Sequence, residues 1–131
     1  MNSQLKKYIE TWLFKADEDL LVVDRLLEYE IIAKGAIGFH CQQAAEKYLK
    51  AFLIFHGKDT LKTHNLEFLI VECSKIDKRY AALNPLNLTD FGVAARYPGD
   101  LIIPTEKEVF EFKEFALQVK KLVKSSILFL D

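Results

Sequence analysis

The sequence predicts an all-α protein, an antiparallel up-and-down four-helix bundle with a long ordered loop before the last helix. Three observations carry that expectation. Apolar residues recur at three- and four-residue steps through four separate stretches, the spacing of one helix face. No stretch keeps the period of two that marks a half-buried strand, and no internal repeat occurs. Connections are short except for residues 84–104, which hold three prolines and two glycines without a clear period. The 131 residues fit one domain, 1–131, and leave no room for a second core.

The first helix is expected over 3–30. Leu5, Ile9, Trp12, Ala16, Leu20, Val23 and Leu27 form one continuous stripe, with Asp19 touching its edge. Gly35 and Gly38 mark the turn into a second helix that runs to about Phe55, and Gly57 stands where a glycine commonly follows a helix end. Thr63 or Asn65 can cap a third helix over 65–83, with Glu67 near the positive end of its dipole. Its face is Leu66, Leu69, Ile70, Cys73 and Ile76, and Asn84-Pro85 ends it. Thr105-Glu106-Lys107-Glu108 reads as a capping box for the last helix, whose stripe is Val109, Phe112, Ala116, Val119, Val123 and Ile127.

Composition narrows the function classes. A formal net charge of −1 gives no global footprint for nucleic acid or an anionic membrane, so polyanion binding would need a local patch. The opening MNSQLKKYIETW is charged and amphipathic, so no signal peptide is expected. The longest apolar runs, AFLIF and ILFL, are too short to span a bilayer. A cytoplasmic protein with no membrane partner is expected, with Cys41 and Cys73 as buried reduced thiols. Ten Phe, five Tyr and one Trp exceed what a small four-helix core easily hides. Phe110, Phe112 and Phe115 surround the last helix on more than one side, which predicts a covering partner such as a second copy in a homodimer.

The chemistry concentrates in two places. On the second helix His40, Gln43, Lys47 and Lys50 recur at steps of three, four and three, a polar stripe beside the greasy one. Two ammonium groups, an amide and an imidazole suit an anion. The same stripe can instead be a solvated face steadied by Gln42–Glu46 contacts and a Glu46–Lys50 ion pair. In the loop, Arg96 offers a donor fork for a phosphate and Tyr97 a ring for a base, or else Arg96 pairs with Asp19 or Asp90 while Tyr97 and Pro98 close the core. Asp19, beside an apolar seam, requires a partner and is expected to meet His40, Lys47 or Arg96. The three histidines, between 40 and 64, are not gathered into a cluster of metal-ligand residues, so no metal is expected. No Gly-rich phosphate loop and no Ser or Cys nucleophile with a base is in view, and no cofactor is expected.

Four motifs together resemble the HEPN domain: Trp12-x-x-x-Ala16-x-x-Asp19-Leu20, HCQQAAEKYLKAFLIFHG at 40–57, THNL at 63–66 and ARYP at 95–98. The resemblance spans about residues 8–125. It implies a helical bundle similar to the C-terminal domain of kanamycin nucleotidyltransferase. It also implies a homodimer, and a minimal nucleotidyltransferase partner in a two-component, toxin–antitoxin-like system. Nucleotide binding is one implied activity, and metal-independent RNA cleavage by an Arg followed four to six residues later by a His is another. This chain departs from that ribonuclease motif: its arginines are Arg25, Arg79 and Arg96, and its last histidine is His64. Asn65 also stands where family members usually carry Asp.

The resulting expectation is a non-catalytic module that binds a nucleotide or other phosphate-bearing ligand through His40, Gln43, Lys47, Lys50, Arg96 and Tyr97, with Asp19 in support. The alternatives are an RNA endonuclease using an unorthodox set drawn from Arg96, His40 and Asp19, and a purely structural dimeric scaffold.

Overall fold

A computed structural model gives the structure of the chain and describes residues 1–59, 62–92 and 103–129. Among the described residues there are four α-helices, α1 (Ser3–Leu26), α2 (Lys34–Phe55), α3 (Leu66–Ser74) and α4 (Glu106–Ser126), with two 3₁₀ turns at Lys78–Ala82 and Leu88–Phe91. No strand occurs among the described residues. The all-α four-helix bundle is as the periodicity predicted.

Helix α2 is its axis. It is buried on nearly every side, with Ile37, Cys41, Ala44, Ala45, Tyr48, Leu49 and Phe52 inaccessible, because α1, α3 and α4 all pack against it. The α1–α2 pair is an antiparallel hairpin: Asp19 meets Lys47, Asp17 meets Tyr48, and Trp12 lies under Lys50. Beyond it, α4 keeps the up-and-down direction and α3 does not. Phe91 lies on Gly38 near the start of α2 and on Phe112 near the start of α4, while Phe55 at the end of α2 meets Phe129 beyond the end of α4. Helix α4 therefore runs in the direction of α2. Helix α3 does so too, since Gln42 bonds the His64 carbonyl just before α3 begins and the Cys73 thiol meets the Leu49 carbonyl near its end. The two longer connections carry the chain back between these helices.

The element ends show where local chemistry decides. Asn2 caps α1, Asn65 caps α3, and Thr105 with Glu108 forms the predicted capping box of α4. Gly57 adopts a φ of +77°, the left-handed turn past a helix end. Helix α1 stops at Leu26 rather than 30, because Glu28, Tyr29, Glu30 and Ile31 are exposed and no burial supports another turn. Helix α2 begins before both glycines. Gly38 serves packing, since a Cβ there would lie 3.0 Å from the Phe91 ring. Helix α3 ends at Ser74, well short of 83: the Asp77 side chain takes the Arg79 amide at 3.0 Å and restarts the chain as a 3₁₀ turn.

Phe112 and Phe115 sit in the core, whereas Phe110 is half exposed on α4. Phe110 and Leu117 make one exposed heptad step on α4, and Phe14 and Leu21 another on α1. Asp24–Lys113 at 3.0 Å and Asp17–Lys124 at 2.8 Å tie these helix faces together, so the four side chains flank one ion-paired seam.

Candidate functional site

The stripe predicted on α2 divides into two braced clusters. Each is organised by one buried carboxylate, because α2 lies so deep that its polar residues cannot all reach water.

Asp19 organises the outer cluster. It is 7% exposed, and its Oδ1 accepts from His40 Nδ1 at 2.9 Å while its Oδ2 accepts from Lys47 Nζ at 2.7 Å. These are two of the three partners anticipated from sequence. Because a carboxylate only accepts, the His40 proton on that side sits on Nδ1, which fixes the ring's orientation. The side chains of His40 and Lys47 retain 27% and 22% exposure, so both groups are held rigidly yet remain reachable from outside. Gln43 lies beside them and donates to Gln42 Oε1 at 2.7 Å.

Glu46 organises the inner cluster. It accepts from Lys50 Nζ at 3.0 Å, from Gln42 Nε2 at 3.1 Å and from His64 Nδ1 at 2.9 Å. Burial by itself pushes the Glu46 carboxyl up, but hydrogen bonds from Lys50, Gln42 and His64 outweigh it and hold the group below the usual carboxylate range. The Gln42 amide also donates to the His64 carbonyl at 3.0 Å. Lys50 is thereby drawn inward. Its side chain is 5% exposed and its ammonium lies 5.9 Å from the Trp12 ring centroid, so it braces the bundle interior and does not stand with His40 and Lys47.

A third acid, Asp17, faces the α4 side. It accepts from the Tyr48 hydroxyl and from Lys124 Nζ at 2.8 Å, with Lys120 at 3.6 Å. Burial raises this carboxyl, and the Lys124 and Tyr48 hydrogen bonds more than reverse that, leaving it below its ordinary value. The same burial raises the phenol of Tyr48 above its usual range. Nothing in the sequence pointed to Tyr48 as the partner of Asp17. Gln42 and Glu46 were equally missed as buried groups, as was exposed His64 as their partner. The Gln42–Glu46–Lys50 steps were visible, but only as an exposed ladder.

Arg96 and Tyr97 lie outside the described residues. Among the described residues no group of His, Cys, Asp and Glu is arranged to hold a metal ion, and no helix is long and apolar enough to cross a membrane. Chemically, the outer cluster can receive an anion through Lys47, His40 and Gln43. Among the described residues Asp19 is bonded to His40 and Lys47 and to no second carboxylate.

A family model for the HEPN domain matches residues 9–126. No curated protein and no solved structure matches the chain.

Proposed function

The chain belongs to the HEPN domain family, and from that premise we propose that it is a non-catalytic, nucleotide-binding accessory module of a two-component system whose partner is a minimal nucleotidyltransferase. The observation that carries the reading is the outer cluster: Asp19 fixes His40 and Lys47 side by side, each still partly exposed, with Gln43 adjoining. A solvated stripe would need no such brace. Prepositioned donors lose little side-chain entropy when an anion arrives, which favours binding. Arg96 and Tyr97 from the loop complete the proposed contacts. Any chemistry belongs to the partner, since the Arg-to-His ribonuclease spacing is absent. The working form is a dimer, or a complex with the partner, covering the seam flanked by Phe14, Leu21, Phe110 and Leu117.

Calorimetric titration with ATP tests the proposal. Heat is expected from the parent protein and a weaker response from Lys47→Ala. No heat at millimolar nucleotide, about −4 kcal/mol of binding, would leave a structural scaffold instead. Cleavage of a generic transcript by the purified protein, abolished in Arg96→Ala, would replace the accessory reading with an RNA endonuclease.

A further inference from the structure

The hollow between α1 and α2, next to the outer cluster, has the composition of a mononucleotide site. It encloses about 320 Å³ and is lined by Tyr8, Thr11, Trp12 and Lys15 of α1 and by Lys47 of α2. The four α1 residues share one helix face at steps of three, one and three. Tyr8 and Trp12 meet edge to face with centroids 6.2 Å apart, and the Lys50 ammonium lies over the Trp12 ring, so the indole is held from two sides. Two ammonium groups border the hollow and no carboxylate does. Lys47 reaches it while tethered to Asp19, whereas Lys15 makes no ion pair with any described residue and brings an uncompensated charge.

We infer that this hollow binds a nucleoside phosphate, with the base against Trp12 and Tyr8 and the phosphate between Lys15 and Lys47. Aromatic faces accept any base, and ammonium groups recognise phosphate as point charges. The volume is at the small end of the roughly 300–1,000 Å³ of ligand pockets, which suits one nucleotide and not a polynucleotide track. The other hollows are less suited. The one between α1 and α4 is lined by Glu10 and Asp17 against the single cation Lys124. The larger one, about 530 Å³, carries His56, Lys78 and Arg79, but Asp77 lines it too and already pairs with Arg79, and it lies at the negative dipole ends of α2 and α4. The inference rests on the nucleotide-binding reading above and specifies where and how the base is held.

Trp12 is the only tryptophan of the chain, so its fluorescence reports on this hollow alone. ADP titrated into the full chain is expected to give calorimetric heat and to quench Trp12 emission, while inorganic pyrophosphate competes without reproducing the quench. Lys15→Ala should weaken ADP binding about tenfold, the loss of one charge-assisted contact, with an unchanged melting curve because Lys15 is exposed. ADP heat with an unaltered Trp12 spectrum and an unaffected Lys15→Ala variant would overturn this site and leave the accessory reading standing. A quench that pyrophosphate reproduces in full would overturn the base-stacking assignment. Absence of heat with ADP would remove both.

Discussion

Truncating Glu46 to alanine should be among the most damaging single changes to this bundle. The carboxylate is 7% exposed and its partner Lys50 5%, so the variant leaves a buried ammonium without a counter-charge. It also strips the acceptor from Gln42 and His64. Breaking a buried pair in this way costs about 3–5 kcal/mol, a large share of the roughly 5–15 kcal/mol that holds a domain together. The cation–π contact with Trp12 stays in place but cannot substitute, since it offers no hydrogen-bond acceptor. Urea melts followed by circular dichroism provide the assay, and the midpoint should fall by roughly 2 M for a typical slope. Arg25–Glu28 is the internal control. Its side chains are 65% and 61% exposed, and Glu28→Ala should cost no more than about 1 kcal/mol. Acid titration supplies a second readout. Because the folded carboxyl lies below its unfolded value, the unfolded chain takes up the proton first as pH falls. The contribution of Glu46 is thus complete above the ordinary carboxylate range and disappears as pH drops through the folded value, a loss that Glu46→Gln should not show. Equal losses for Glu46→Ala and Glu28→Ala would refute the reasoning, because they would mean that water solvates Lys50.

Three further outcomes are expected. Gly92→Ala would place a Cβ 2.7 Å from the Gln42 amide carbon, and that amide is held by Glu46 and the His64 carbonyl, so a loss of about 1–3 kcal/mol should appear in thermal melts. Leu86 has a φ of +56°, which costs a side-chain-bearing residue about 1–2 kcal/mol; Leu86→Gly should raise the melting temperature slightly after the entropy of glycine is deducted. Burial pushes the thiols of Cys41 and Cys73 up to about 12, so a thiol reagent at pH 8 should label neither in the native protein and both after denaturation.

The periodic stripes made the helices legible because each stripe has to be buried somewhere, and caps at Asn65 and Thr105 made two starts legible as well. The direction of α3 was not legible, whereas that of α4, opposite to α1, is as the alternation predicts. Chain reversal was inferred from connections assumed short, yet residues 75–92 climb back along the bundle through two 3₁₀ turns to lay Phe91 on Gly38. Asp19 was readable as an acid in need of a partner, because its position on the stripe edge and its charge conflict unless something meets it. The fate of Lys50 was not, since an i,i+4 Glu–Lys pair has the same spacing whether water or protein surrounds it. What separates the two is how many helices cover α2, a tertiary fact. Lys15 and Trp12 escaped notice as a pair for the same reason: the hollow exists only once α2 brings Lys47 opposite them.

The co-directional arrangement of α2, α3 and α4 also explains the charge pattern at the poles and why the hollow lies on the flank. Three aligned helix dipoles add, and α3 and α4, though not α2, carry opposite charge near their ends. Glu67, Glu106 and Glu108 stand in the first turns of α3 and α4, while Lys75 follows α3 and Lys124 lies in the last turn of α4. That acidic start would repel a phosphate despite its helix N-termini, and the opposite end would repel it through carbonyl dipoles. Between α1 and α4, and likewise along the α1–α2 hairpin, neighbouring dipoles oppose and cancel. An anion bound there is held by side-chain charge alone, by Lys15 and Lys47, which is why its affinity should fall steeply with added salt while the buried Glu46–Lys50 pair stays indifferent to it.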